Sequence, residues 1–211
     1  MIAFALLLAA APAPTAIDAE RAFAADAQRI GQWSAFRKYA DHDAVILTPQ
    51  ASWARDFLRG RKDPRRSISW RPALSYVSCD GRTAVNSGPW FGVAGHVGGT
   101  FTTVWQMTPQ GWRWVYDGGA PLTGSASRRV QPTVHRAACT GKPTGAPTAP
   151  PPKLTNRKAQ TASADNGRGE SADRTLGWDW RVDARGKRRF RVFQWTGRTY
   201  VQVLSRQTRA R

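Results

Sequence analysis

The sequence predicts an α+β protein: a long N-terminal helix packed on a curved antiparallel sheet, followed by an appended small β-meander. Three observations carry that reading. One long amphipathic run opens the chain near Asp18. Thr100 to Gly119, TFTTVWQMTPQGWRWVYDGG, reads as two alternating strands joined at Thr108-Pro109-Gln110-Gly111. A Pro-rich stretch then separates this part from a second strand-rich region that ends near Leu204.

Thr15-Ala16-Ile17-Asp18 has the pattern of a capping box, because a Thr hydroxyl and an acidic side chain three residues on satisfy each other's backbone N–H groups. The helix is expected to run to about Tyr39. Phe23, Ala27, Ile30 and Ser34 share one side, and Trp33 and Ala40 widen the apolar stripe. Ala44 to Thr48 reads as a short buried strand ended by Pro49, and Ser52 as the cap of a brief helical turn from Trp53 to Leu58 that stops at Gly60. After the basic loop Arg59 to Arg66 come four strand-like runs: Ser69 to Ser78, Arg82 to Phe91, Gly98 to Met107 and Trp112 to Asp117. Asp80-Gly81 makes a tight turn between the first two.

Thr140 to Ser171 is rich in Pro, Ala, Thr, Gly and Lys, includes Pro150-Pro151-Pro152, and reads as a linker. Beyond it, Trp178, Trp180 and Val182 alternate with Asp179, Arg181 and Asp183. Turns at Arg185-Gly186 and Thr196-Gly197 then define three short strands between Leu176 and Leu204. A segment of fewer than about 40 residues rarely buries enough surface to fold alone, so this meander is expected to dock on the first domain.

Helix, strand, short helix and antiparallel meander, closed by Gly111-Trp112-Arg113-Trp114-Val115 and Tyr116-Asp117, resemble the NTF2-like superfamily over about residues 18–121, particularly its SnoaL-like and DUF4440-like branches. The resemblance implies a cone in which helices cover the concave face of the sheet and leave a pocket that different families use for catalysis, binding or dimerisation. It brings no catalytic signature with it.

Ile2 to Ala13 is an apolar run ending in the small-residue site Ala11-Pro12-Ala13, too short to span a bilayer, and reads as an export signal. The expected division is a signal peptide at residues 1–16, the cone at 17–122, an extended segment and linker at 123–171, and the basic meander at 172–211. The expected location is periplasmic or secreted. Cys79 and Cys139 form an even pair without a CxxC motif, and an oxidising compartment favours one disulfide between them over two buried thiols.

The formal net charge of +18 is uneven: residues 1–122 hold 13 Lys/Arg against 9 Asp/Glu, and residues 123–211 hold 19 against 5. An anionic partner would meet the C-terminal part first. There is no GxSxG, GxxxxGK[ST], HExxH or CxxC motif, and Gly92, Gly95, Gly98 and Gly99 lack the spacing and context of a dinucleotide fingerprint. No metal and no cofactor is called for. His42, His96 and His135 fall in separate segments, and Asp41-His42-Asp43 sits at a helix end where adjacent side chains diverge.

A cone enzyme needs an acid or base in an apolar pocket, where lost hydration moves its pKa toward neutrality. The candidates are Tyr116, Asp117 and His96, with Tyr39 at the helix end. Strand alternation places Trp112, Trp114 and Tyr116 on one face and Asp117 on the other, unless a bulge at the following glycines re-aims it, so Tyr116 is expected in the pocket. Trp53, Trp90, Phe101, Trp105, Trp114 and Tyr116 would line it or fill it as core.

In the meander, Lys187, Arg188, Arg189 and Arg191 stand near Trp178, Trp180 and Trp195, a mixture suited to an anionic envelope polymer or to a solubilising face. Nucleic acid is not the expected partner of an exported chain. The reading taken is an exported pocket protein that binds a small apolar molecule or serves as an assembly module, a homodimer among the options. A cofactor-independent isomerase, dehydratase or hydrolase of the SnoaL-like kind and a binder of anionic polymer remain as alternatives.

Overall fold

The computed structural model describes residues 13–48, 50–120, 131–145 and 165–208. Residues 1–12 of the expected signal peptide and the centre of the Pro-rich segment lie outside the described residues. Helices α1 (Ala16–Arg29) and α2 (Gln32–Tyr39) lead into β1 (Ala40–Leu47), β2 (Ala51–Trp53) and the short α3 (Ala54–Leu58). Strands β3 (Ser69–Trp70), β4 (Leu74–Val77), β5 (Thr83–Phe91), β6 (Val97–Thr108), β7 (Gly111–Ala120) and β8 (Thr133–Arg136) follow. The last four are β9 (Asp165–Glu170), β10 (Leu176–Val182), β11 (Arg188–Trp195) and β12 (Tyr200–Gln207).

The Thr15–Asp18 capping box opens α1. The long helix expected to reach Tyr39 is in fact two helices, because Gly31 turns the chain at φ 105°. The break is held from outside. Asp63 accepts the N–H groups of Trp33 at 2.5 Å and Ser34 at 2.9 Å and the Ser34 hydroxyl at 2.6 Å, capping α2 across the basic loop. A Cβ at residue 31 would lie 2.3 Å from the Asp63 carboxyl carbon. Ser52 is not a cap. It lies in β2, and Trp53 precedes α3.

Eight strands form the first sheet, a mixed one in the order β2-β1-β7-β6-β5-β4-β8 with β3 paired to β5. The expectation of an antiparallel sheet fails at two places, since β1 runs parallel to β7 and β8 parallel to β4. The second sheet has four antiparallel strands, β12-β11-β10-β9, where three were expected. The additional strand β9 falls in what reads as linker.

The layers are helices, first sheet, second sheet. Phe23, Phe36, Trp70, Trp105 and Trp114 pack between helices and sheet. On the other face Val85, Val104 and Tyr116 meet Leu176, Trp178, Trp180 and Phe190 of the second sheet. The joint is also polar: Tyr76 donates to the Val203 carbonyl at 3.0 Å, and Gln194 to the His135 carbonyl at 2.9 Å. A Cys79–Cys139 disulfide crosses beside it, and the Cys79 N–H reaches the Thr175 hydroxyl at 2.8 Å.

Candidate functional site

The site is set by one irregularity in β7. Val104 pairs with Tyr116 and Trp105 with Trp114, so Val115 has no partner of its own on β6. Such a bulge inserts one residue and exchanges the two faces beyond it. Before it, Trp112 and Trp114 face the helices. After it, Tyr116 faces the second sheet, stacked on Phe190 with ring centroids 4.5 Å apart. Asp117 therefore points to the helical side, where the Thr103 hydroxyl donates to its carboxylate at 2.8 Å.

There Asp117 lines a cavity of about 320 Å³ between α2, the first sheet and the start of β11. Its walls are mostly apolar: Trp33 and Phe36 from α2, Ile46 and Leu47 from β1, Trp90 from β5 and Phe101 from β6. Gly118 and Gly119 form the wall beyond Asp117, and Gln32, Asp117 and Arg188 supply its main polar groups. Burial among these groups pushes the Asp117 carboxyl up to about 7, against the smaller opposing pull of the Thr103 hydroxyl. The residue keeps partial contact with solvent.

Sequence reasoning missed a second carboxyl, Glu20 of α1. It is fully buried and accepts the indole N–H groups of Trp70 at 2.8 Å and Trp105 at 2.6 Å, with the Asn86 amide at 3.4 Å. Burial raises its pKa to about 7; the three donors pull it down, and the charge of Asp117 adds to the rise. The signal was present as an acidic residue in the stripe of Phe23 and Ala27. Glu20 does not line the cavity, and its part is structural.

The remaining sequence candidates scatter. Trp90 and Phe101 line the cavity. Trp105 and Trp114 are wholly buried beneath the helices, and Trp53 packs against the inter-sheet core. Tyr116 is enclosed on the face away from the cavity, and burial pushes its phenol far above the ordinary range. His96 is exposed in the β5–β6 turn. Tyr39 donates to Asp26 at 3.1 Å. His42 contacts Asp43 at 3.0 Å on the surface, and among the described residues no group of three His, Cys, Asp or Glu could hold a metal ion.

The basic cluster divides as well. Lys187 is exposed, Arg191 forms a fork with Asp179, and Arg188 turns inward to the cavity. Trp178, Trp180 and Trp195 are buried, so they offer no stacking surface to a polymer. No helix among the described residues is long and apolar enough to cross a membrane.

No family model matches this sequence, and no curated protein matches it. Solved structures are similar to about half of it. An NTF2-like protein with a cystatin-like fold from Novosphingobium aromaticivorans is 20% identical, with 53% of this chain and 82% of that one covered at a TM-score of 0.37. A protein of unknown function from the DUF3225 family of Pectobacterium atrosepticum is 18% identical, covering 50% and 89% at 0.39. A hub homology domain of the calcium/calmodulin-dependent kinase II type from Chlamydomonas reinhardtii is 18% identical, covering 51% and 98% at 0.38.

Proposed function

We propose that this chain binds a small, largely apolar molecule in the cavity between α2 and the first sheet. The observation that supports it is a space of about 320 Å³ walled by aromatic and aliphatic side chains, with the Asp117 carboxyl at its edge. Such a pocket is of the size and character that small ligands fill, and Asp117 orients the bound molecule by a hydrogen bond. Export to the periplasm or medium accords with the apolar run from Ile2 and with the disulfide. The neutral probe N-phenyl-1-naphthylamine tests the binding reading. It should bind with a rise in fluorescence, and Trp33→Ala or Trp90→Ala should weaken it about tenfold by removing ring contact. Absence of binding to the folded wild type, or equal affinity in both variants, would count against the cavity.

A second reading, a cofactor-independent isomerase, dehydratase or hydrolase of the SnoaL-like kind, is favoured by one observation. A carboxyl held at about 7 in an apolar cavity is suited to take and return a proton near neutral pH. On that reading Asp117→Asn abolishes turnover and leaves probe affinity unchanged, whereas Tyr116→Phe, which acts on the other face, leaves turnover intact.

A further inference from the structure

Arg188 opens β11 in the second sheet, yet its side chain lines the cavity on the helical side of the first. It also lines the cleft between the sheets, so it passes from one layer to the other beside Gly118 and Gly119. One guanidinium N–H donates to the Leu47 carbonyl at 3.1 Å, at the last residue of β1, which fixes the group at the rim. Arg is charged at every accessible pH and presents its donors as a planar fork that matches a carboxylate. In an apolar cavity such a group selects ligand chemistry more strongly than the hydrocarbon walls do.

We propose that the ligand of this cavity is an apolar carboxylate, an aryl or short acyl acid, whose head is received by Arg188 while its body lies against Trp33, Trp90 and Phe101. The proposal rests on the binding reading above and narrows it to one ligand class. Two further features agree. The strong excess of cations draws anions toward the chain. Asp117, raised to about 7 by burial, is largely protonated below that pH and so does not repel an anionic head. The second sheet thereby becomes part of the binding site and not only a cover for the first.

The test compares 2-naphthoate with its neutral isostere 2-naphthamide at pH 6, by quenching of tryptophan fluorescence and by calorimetry on the full chain. The wild type should bind the carboxylate about tenfold more tightly than the amide, the gain of a charge-assisted hydrogen bond. In Arg188→Gln the two affinities should come within about twofold, the amide affinity holding, while the exposed Lys187→Gln keeps the preference. If Arg188→Gln fails to fold, Arg188→Met, which keeps the stem and drops the charge, takes its place. Equal binding of both probes by the wild type overturns the proposal and leaves the binding reading standing. A preference that survives loss of Arg188 assigns it to surface cations and also overturns the proposal. Binding of neither probe removes both readings.

Discussion

Replacing Asp117 by Asn should make the protein more stable in mildly alkaline solution and no more stable in acid. The native carboxyl titrates near 7, against 3.8 for a free one. Between those values the folded state holds a proton that the unfolded state has lost, so unfolding free energy falls as pH rises from about 4 to about 7 and is flat above. Three units correspond to about 4 kcal/mol for a fully enclosed group; because Asp117 keeps some contact with water through the cavity, about 2 kcal/mol is the expected figure. Asn keeps an acceptor for the Thr103 hydroxyl, so the hydrogen bond at 2.8 Å survives. Urea unfolding followed by tryptophan fluorescence from pH 4.5 to 8.5 measures the difference. The window avoids carboxylates such as Asp26, which the Lys38 and Arg29 hydrogen bonds hold at about 2 and which lose their contribution only in stronger acid. Glu20, raised to about 7, leaves a residual slope of the same sign in the variant. A stability difference constant across the range, or a variant weaker than wild type at pH 8, would refute the placement of this carboxyl.

Breaking the Cys79–Cys139 bond, which closes a separation of 60 residues, should cost about 3–4 kcal/mol; alkylation without reductant and mass spectrometry should find no free thiol in the untreated protein. Phe190→Ala removes the ring stacked on Tyr116 from the inter-sheet core, and a loss of about 3–5 kcal/mol shared by far-UV and fluorescence transitions would show that both sheets unfold together. Gly98→Ala places a Cβ 1.9 Å from the Trp90 ring, so that ring must move within the cavity wall; naphthylamine affinity should fall, and an unchanged value would remove Trp90 from the site.

Periodicity and end signals in the sequence were enough to locate β5, β6, β7 and the start of α1, because each depends on residues adjacent in the chain. Gly31 broke the expected helix through a partner, Asp63, 32 positions away, and no local pattern announces that. The order of the two β7 candidates, Tyr116 before Asp117, is reversed for a similar reason. Alternation alone sends Tyr116 inward, and only the unpaired Val115 reverses it, three residues before the glycine pair at which composition suggests a bulge. Strand β9 was invisible because Gly167 and Gly169 carry no side chains to alternate. Those glycines are there to lie against the Trp180 and Trp178 rings, where a Cβ would come within 2.6 and 2.2 Å. Arg188 read as one of many cations, since only the tertiary packing of two sheets separates it from Lys187.

The buried Glu20 gives α1 a single seat. A helix held by Phe23 and small alanines alone could slide along the sheet by a turn at little cost, as apolar surfaces match in many alignments. A one-turn shift here would carry a carboxyl against hydrocarbon and strand the indole N–H groups of Trp70 and Trp105, three polar groups left without partners in the core. The carboxyl thus works as a locating pin, whose value lies in excluding neighbouring alignments more than in adding net stability. Because the pin fixes where α1 ends, it also fixes where α2 begins, and with it the distance between Trp33 and the opposite wall of the cavity.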